Sequence, residues 1–425
     1  MPAAMIRADF PGLLILADDL SGAADCAADF AARIDTRVVL KHAGAHVAGT
    51  GVVAIDVDSR RLAPLQAAEQ HHAVLRQQHA TAMALYKKID STLRGNVASE
   101  IDALQSVRGM ALVAPAFPDM KRTTSQGVQL IDGVPVDQSD VWRNENLQGT
   151  SNLLELLLKQ GLRTQWLGLD EIRDSDALKQ ALRTALENGV QALVCDAELD
   201  SDLQTLAEAS APWHQELFWV GSAGLARHLP EALGLPAASP IKVSPCSPVL
   251  TVVGSMSQHS QLQADTLAQS SPQYSLTIAP GTLLDSSAQT ERDALHQQLK
   301  DQLSAGHDVL VRLDQQQRNP THAAALSNAL AKWLAPALPH AGSLIATGGE
   351  TARAILVEAG IDHMILLGEL ATGVVLSQAR LGPRTLNVVT KAGGFGEPDT
   401  FLAAWRQLHE PAPTGTPFKE EAPYV

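Results

Sequence analysis

Short apolar runs rich in Val, Ile, Leu and Ala alternate along this chain with longer stretches whose apolar positions follow a helical period. In the first half the runs fall at 13–16, 37–40, 51–57, 84–88, 110–114, 191–195 and 216–220, and helices are predicted over 23–33, 64–79, 98–105, 153–160 and 176–187. Beyond residue 248 a second series begins, with strands predicted at 249–253, 275–278, 308–313, 343–346, 364–367 and 386–389. Unbroken apolar runs are what parallel strands covered on both faces look like, so the prediction is an α/β fold of mostly parallel sheets flanked by helices. No fixed-period repeat is visible.

Between the two series lie Pro236, Pro240, Pro245 and Pro248. Proline at that density suits neither a helix nor a central strand. The expected organisation is therefore an N-terminal α/β domain over 1–235, a Pro-rich linker over 236–248, and a C-terminal α/β domain over 249–410. Residues 411–425 are expected to form an arm or disordered tail. Two such domains would enclose a cleft. A length of 425 residues fits this division, because single hydrophobic cores stop growing well below that size.

Composition narrows the function. The formal net charge of -14 argues against a general nucleic-acid binder, which needs a basic surface. It leaves room for a small anion held by local cations, of which Arg60, Arg61, Lys87, Lys88, Arg94, Lys121 and Arg122 are candidates. The first apolar run is cut short by Asp18 and Asp19, too soon for a signal segment or a membrane span. Cys26, Cys195 and Cys246 are widely spaced and odd in number, which suits a reduced, cytoplasmic protein without a structural zinc site.

The polar residues with chemistry sit at strand ends, where open α/β sheets bind ligands. Asp18, Asp19 and Ser21 follow the first strand, with Gly22 allowing a tight turn. One carboxylate suffices to cap the next helix, so the other is available to accept or orient a proton. Asp90, Ser91, Thr92 and Arg94 follow the strand at 84–88 and combine hydroxyls, a carboxylate and a guanidinium suited to an anion. Arg60 follows the strand at 51–57. The segment 114–124, interrupted by Pro115 and Pro118, is expected to be an irregular loop over the site, with Lys121 and Arg122 as its solvated charges. The turn at 220–224 is expected to lie at the domain edge. In the second half, Gly254 with Ser255 and Ser257, the stretch Gly348, Gly349, Glu350 and Thr351, and Gly393 with Gly394 form three Gly-rich strand-end turns. Together they could offer a nest of amides to a polyphosphate. There is no P-loop, dinucleotide fingerprint, protein-kinase motif set or nucleophile elbow.

Several of these segments, in order along nearly the whole chain, resemble the four-carbon acid sugar kinases. They are Leu16-Ala-Asp-Asp-Leu-Ser-Gly22, Lys88-Ile-Asp-Ser-Thr-Leu-Arg-Gly95, Pro115-Ala-Phe-Pro118, Val220-Gly-Ser-Ala-Gly-Leu225, Gly254-Ser-Met-Ser257, Thr347-Gly-Gly-Glu-Thr351 and Lys391-Ala-Gly-Gly-Phe-Gly396. Many relatives carry Asp at the position of Glu350. The resemblance implies a cytoplasmic enzyme with an N-terminal domain for the sugar acid and a C-terminal domain for ATP. It would phosphorylate the 4-hydroxyl of D-threonate, with D-erythronate and 3-oxo-tetronate as alternatives.

By the same resemblance Asp18, Asp19, Arg60, Asp90, Ser91, Thr92 and Arg94 form the sugar-acid site, and Asp19 or Asp90 orients the attacking hydroxyl. Ser255, Gly348, Gly349, Glu350, Thr351, Gly393 and Gly394 form the ATP site. Mg2+ would be held mainly by phosphate oxygens and water, with Glu350 as a candidate ligand. The expected partners are the two small molecules, with neither nucleic acid nor membrane, and the arm leaves room for a homodimer. Two readings of other classes stay open: a non-kinase sugar-phosphate enzyme, and a sugar-acid sensor.

Overall fold

The computed structural model describes residues 10, 12–40, 51–78, 83–107, 109–145, 147–254, 257–314 and 323–410. The N-terminal half contributes β1 (Leu13–Ala17), β2 (Thr36–Val39), β3 (Val52–Asp56), β4 (Ala84–Lys88), β5 (Met110–Ala114), β6 (Arg122–Ser125), β7 (Val128–Ile131), β8 (Val134–Pro135), β9 (Thr164–Leu167), β10 (Ala192–Cys195) and β11 (Leu217–Gly221). The C-terminal half contributes β12 (Val249–Val253), β13 (Tyr274–Ile278), β14 (Val309–Leu313), β15 (Ser343–Thr347), β16 (His363–Ala371), β17 (Val374–Leu381) and β18 (Arg384–Lys391). Every residue of β1, β3, β4, β5, β11, β12 and β15 is buried. Helices cover both faces of these strands, which is why they read as continuous apolar runs.

The two halves share one sheet. Fifteen strands run in the order β13-β14-β12-β15-β18-β17-β16-β2-β3-β1-β4-β11-β5-β10-β9. The junction is an antiparallel pairing of β16 with β2, Met364 opposite Val38. The expectation of mostly parallel sheets holds within each half except at β16, β17 and β18, which form an antiparallel meander. Of these, β17 is absent from the predicted strands.

Because β16 reverses direction against β2, the parallel strands of the two halves point opposite ways along the sheet. Six interstrand steps separate β15 from β1, and at roughly 20–25° of twist per step the sheet turns by about 120–150° between them. That rotation nearly cancels the reversal. Both sets of strand C-termini therefore end at one cleft, with the helix Leu20–Ala31 packed at the joint against β3 and β16.

The second departure concerns 114–124, expected to be irregular throughout. Only Pro115 to Phe117 and Lys121 are, because Ala114 ends β5 and Pro118–Met120 form a single 3-10 turn. Arg122 begins β6, the first strand of a small antiparallel sheet with β7 and β8. Its two hairpins turn at Gln126-Gly127 (φ 51° and 71°) and Asp132-Gly133 (φ 49° and 78°), the paired positive φ values of the tightest two-residue turns. Residues 236–248 carry neither helix nor strand. They are fastened by Arg33 Nη1 to the Pro236 carbonyl and by Asn387 Nδ2 to the Ser244 carbonyl, each at 2.9 Å. The expected arm at 411–425 lies outside the described residues.

Candidate active site

Five parallel strands end at one level. Ala17 stands opposite Asp56 and Lys88, Lys88 opposite Gly221, and Gly221 opposite Ala114. The loops that follow line a cleft bounded by Asp19, Ser21, Arg60, Lys88, Asp90 and Arg122 on one side and by Gly373, Ala392 and Phe395 on the other.

The adjacent carboxylates divide the work. Asp19 caps the helix Leu20–Ala31, its Oδ1 accepting from the Gly22 amide at 3.0 Å and from Arg60 Nη2 at 2.9 Å. Asp18 takes Arg60 in a bidentate pair, Nε to Oδ2 at 2.6 Å and Nη2 to Oδ1 at 2.9 Å. Burial alone would raise the Asp18 carboxyl, but the charge and hydrogen bonds of Arg60 hold it below the usual range.

The Asp90 turn repeats the device. Arg94 donates Nε to Asp90 Oδ2 at 2.8 Å and Nη2 to Oδ1 at 3.0 Å, while the amide and hydroxyl of Thr92 also reach Oδ2. Against the upward push of burial, Arg94 keeps this carboxyl well below its ordinary value. Both oxygens of Asp90 are thus committed. Asp19 Oδ2 is not in these pairs: a methyl group added at Gly349 would sit 2.8 Å from it and 2.7 Å from Ser21 Oγ. Ser21 Oγ is itself buried without a hydrogen-bond partner.

Two cations face the cleft without a carboxylate within ion-pair distance among the described residues, Lys88 and Arg122. Lys88 is 5% exposed and, among the described residues, donates to the Ile89 carbonyl alone, at 3.0 Å. Arg122 donates Nη1 to Ser91 Oγ at 2.6 Å, lies 5.6 Å over the Phe395 ring, and leaves its buried Nε unpartnered. Sequence reasoning assigned Arg122 to solvent, and this is a correction. Lys121 is the exposed one, paired with Asp132 at 3.4 Å. Lys87 turns inward to Glu100 at 2.8 Å. The turn at 220–224, expected at the domain edge, lies on the cleft instead: Ser222 lines it and caps the next helix. Asp25, one helical turn beyond Gly22, also lines the cleft, and burial pushes its carboxyl up to about 6 despite Lys88. Its spacing of three from Gly22 was the sequence signal for it.

Across the cleft the wall is backbone. Val253 stands opposite Thr347 and Thr347 opposite Lys391, so all three Gly-rich turns leave adjacent strand ends. Gly348 has φ 91° and begins the helix Gly349–Glu358, and its amide donates to the Lys391 carbonyl at 2.9 Å. Glu350 pairs with Arg61 of the other half. Thr351 is buried and faces Gly254, where any Cβ would overlap it. Gly393 and Gly394 lie in the loop between Ala392 and Phe395. Ser255 lies outside the described residues. Arg353 crosses the joint to Asp56 at 2.8 Å and Asp58 at 3.0 Å.

A sugar-binding N-terminal domain matches residues 13–229 and a nucleotide-binding C-terminal domain matches residues 250–401. The chain is 43% identical to a D-threonate kinase of Cupriavidus necator, over 93% of this chain and 98% of that one. It is 31% identical to a D-threonate kinase of Bordetella bronchiseptica, over 94% and 98%, and 27% identical to a 3-oxo-tetronate kinase of Methylobacterium radiotolerans, over 91% and 96%. Among solved structures, one from Salmonella typhimurium LT2 shares the fold with a TM-score of 0.78 at 23% identity, covering 94% of this chain and 100% of that one. With both domain matches together spanning most of its length, the chain belongs to the four-carbon acid sugar kinase family.

Proposed function

We propose that this chain transfers the γ-phosphoryl group of ATP to the terminal 4-hydroxyl of a four-carbon sugar acid, D-threonate foremost. The observation that carries this reading is the pair of cations without carboxylate partners, Lys88 and Arg122, in the same cleft as Asp19. Arg60 and Arg94 are already neutralised by Asp18 and Asp90, so Lys88 and Arg122 are left to receive an incoming carboxylate. Arg122, with its unpartnered Nε, would bind it in the planar, two-point manner guanidinium favours. Ser91 and Thr92 would set the position of the substrate hydroxyls, while Asp18, Arg60, Asp90 and Arg94 form the rigid floor beneath them.

Asp19 is then the group that orients the 4-hydroxyl. Its Oδ2 faces the Gly349 turn, where the phosphates of ATP would rest on amides of Gly349 to Thr351, which follow the turn at Gly348, and of the Gly393–Gly394 turn, with Ser255 beside them. Asp90, saturated by Arg94 and Thr92, would position and not accept the proton. Phosphoryl transfer asks mainly for alignment and charge stabilisation, which this division supplies. Among the described residues no group of three or more ligating side chains could hold a metal by itself. Magnesium would be carried on the nucleotide phosphates, where it would shield their charge, with Glu350 a candidate ligand once freed from Arg61. Closure of the Gly373 and Phe395 edge over the acid would exclude water.

No helix among the described residues is long and apolar enough to cross a membrane, and we place the enzyme in the cytoplasm. The division at 236–248 into acid-binding and ATP-binding domains is part of the same proposal, as is a homodimer through the arm. Release of ADP, followed with D-threonate, D-erythronate, L-threonate and 3-oxo-tetronate, tests it. The expected result is the highest kcat/KM with D-threonate. Preference for another of the four would reassign the substrate, and no acid-dependent ADP release would end the kinase reading.

A further inference from the structure

Lys391, at the end of β18, is a buried ammonium without a counter-ion. It is 1% exposed, no carboxylate lies within ion-pair distance among the described residues, and burial lowers its pKa to about 7. Burying an unpaired charge is expensive unless dipoles compensate for it. Here they do: Nζ donates to the carbonyls of Ala392 at 2.9 Å, Phe395 at 2.8 Å and Gly393 at 3.4 Å, above the face of Phe401.

The helix Gln258–Ser270 holds the same loop from the other side. Ser260 Oγ, and Ser257 Oγ at the helix start, donate to the Gly393 carbonyl at 2.8 and 2.9 Å. Gln263 Nε2 donates to the carbonyls of Phe395 and Glu397 at 3.1 and 2.8 Å, and His259 Nε2 reaches the Gly396 carbonyl. The carbonyls of Ala392, Gly393, Phe395, Gly396 and Glu397 are therefore all drawn inward. Of the amides, Phe395 donates to Ala392 at 3.2 Å, while those of Gly393 and Gly394 have no acceptor among the described residues. A loop with its carbonyls pinned inward presents the positive ends of its peptide dipoles outward, as an anion site requires.

We infer that Lys391 is a positioning residue for the nucleotide: its ammonium, below the loop and out of reach of solvent, holds residues 392–396 with their free amides turned toward the ATP phosphates. This rests on the reading of the loop as part of the ATP site. It also accounts for a lysine where a hydrophobic residue of similar length would cost less to bury.

The test combines steady-state kinetics with hydrogen exchange of the 392–397 amides, with and without ADP, in the full-length wild type and Lys391→Met. The expected result is a rise of about tenfold in the KM for ATP, with the KM for D-threonate changed less than about twofold, and loss of ADP-dependent protection in the loop. An unchanged KM for ATP in the folded variant, or equal rises in both KM values, overturns the role. Should Lys391→Met fail to fold, Ser260→Ala removes one carbonyl anchor without touching the ammonium. It should raise the KM for ATP about threefold, and no rise overturns the pinned-loop account. If ADP does not protect these amides even in the wild type, the assignment of the loop to ATP fails first. Equal protection in both proteins removes Lys391 alone.

Discussion

The two walls of the cleft are built from different materials. The N-terminal wall is made of charge: Asp18 with Arg60, Asp90 with Arg94 and Lys87 with Glu100 are ion pairs at 2.6–2.8 Å with at least one member almost fully buried. The C-terminal wall is made of backbone, glycine turns of which the 392–397 loop has its carbonyls fastened by side chains from behind. Among the described residues Lys391 is the one fully buried cation in that wall, and it serves the backbone. The difference matches the two ligands. A sugar acid differs from its relatives by the placement of single hydroxyls, which rigid side chains can discriminate. A polyphosphate presents the same oxygens in every nucleotide, and amides suffice for it.

The comparison breaks first if Asp19 is not the group that meets the substrate. Asp19→Asn keeps the helix cap and should lower kcat by about 10²–10⁴ with little change in thermal midpoint. Turnover near wild type, with Asp25→Asn inactive instead, would move that role one helical turn along. Arg60→Met tests the charged floor. It strands Asp18, 2% exposed, without its bidentate partner, and should cost about 3–5 kcal/mol in urea unfolding. A loss under about 1 kcal/mol would mean the pair is structurally idle.

The charged wall also carries a pH signature. His71 is fully buried, donates to the Ala67 carbonyl at 2.8 Å and faces Lys87 and Glu100. Burial, reinforced by Lys87, lowers its pKa from 6.5 to about 4. Between those values the unfolded chain binds more protons than the fold. The stability from keeping His71 neutral is thus complete above about pH 6.5 and is lost as pH falls toward 4, up to about 3 kcal/mol. Chemical denaturation across that range should show the slope, and His71→Leu should flatten it. The backbone wall should respond to volume instead. Gly349→Ala places a methyl 2.7–2.8 Å from Ser21 Oγ and Asp19 Oδ2, and overpacking of this kind costs about 1–3 kcal/mol. It should lower kcat/KM for both substrates, and an unaffected enzyme would show that the two walls stand further apart in solution.

Most parallel strands were legible because burial on both faces leaves them largely apolar, whereas the parallel strand β9, with Thr164, Gln165 and Trp166 not buried, was absent from the predicted strands. The strand-end carboxylates and glycines were legible because capping and tight turns demand those residue types. Four other features were not. The joint of β2 with β16 depends on pairing between segments more than 300 residues apart, which no local pattern encodes. The strand β17 has polar Ser377 and Gln378 at its centre, so it lacks the apolar run that marked its neighbours. Arg122 read as solvated because the prolines before it suggested a loop, whereas two tight hairpins fold its strand back over Ser91. Lys391 was visible as a motif residue, but its inward direction follows from the loop and not from the spacing.

The central claim is that acid and nucleotide meet separate walls, with Arg122 as the cation that receives the acid. Arg122→Met, assayed for both substrates, tests it most directly. The account predicts a KM for D-threonate raised about tenfold or more and a KM for ATP within about twofold of wild type. A rise confined to ATP, or unchanged values for both, would contradict it.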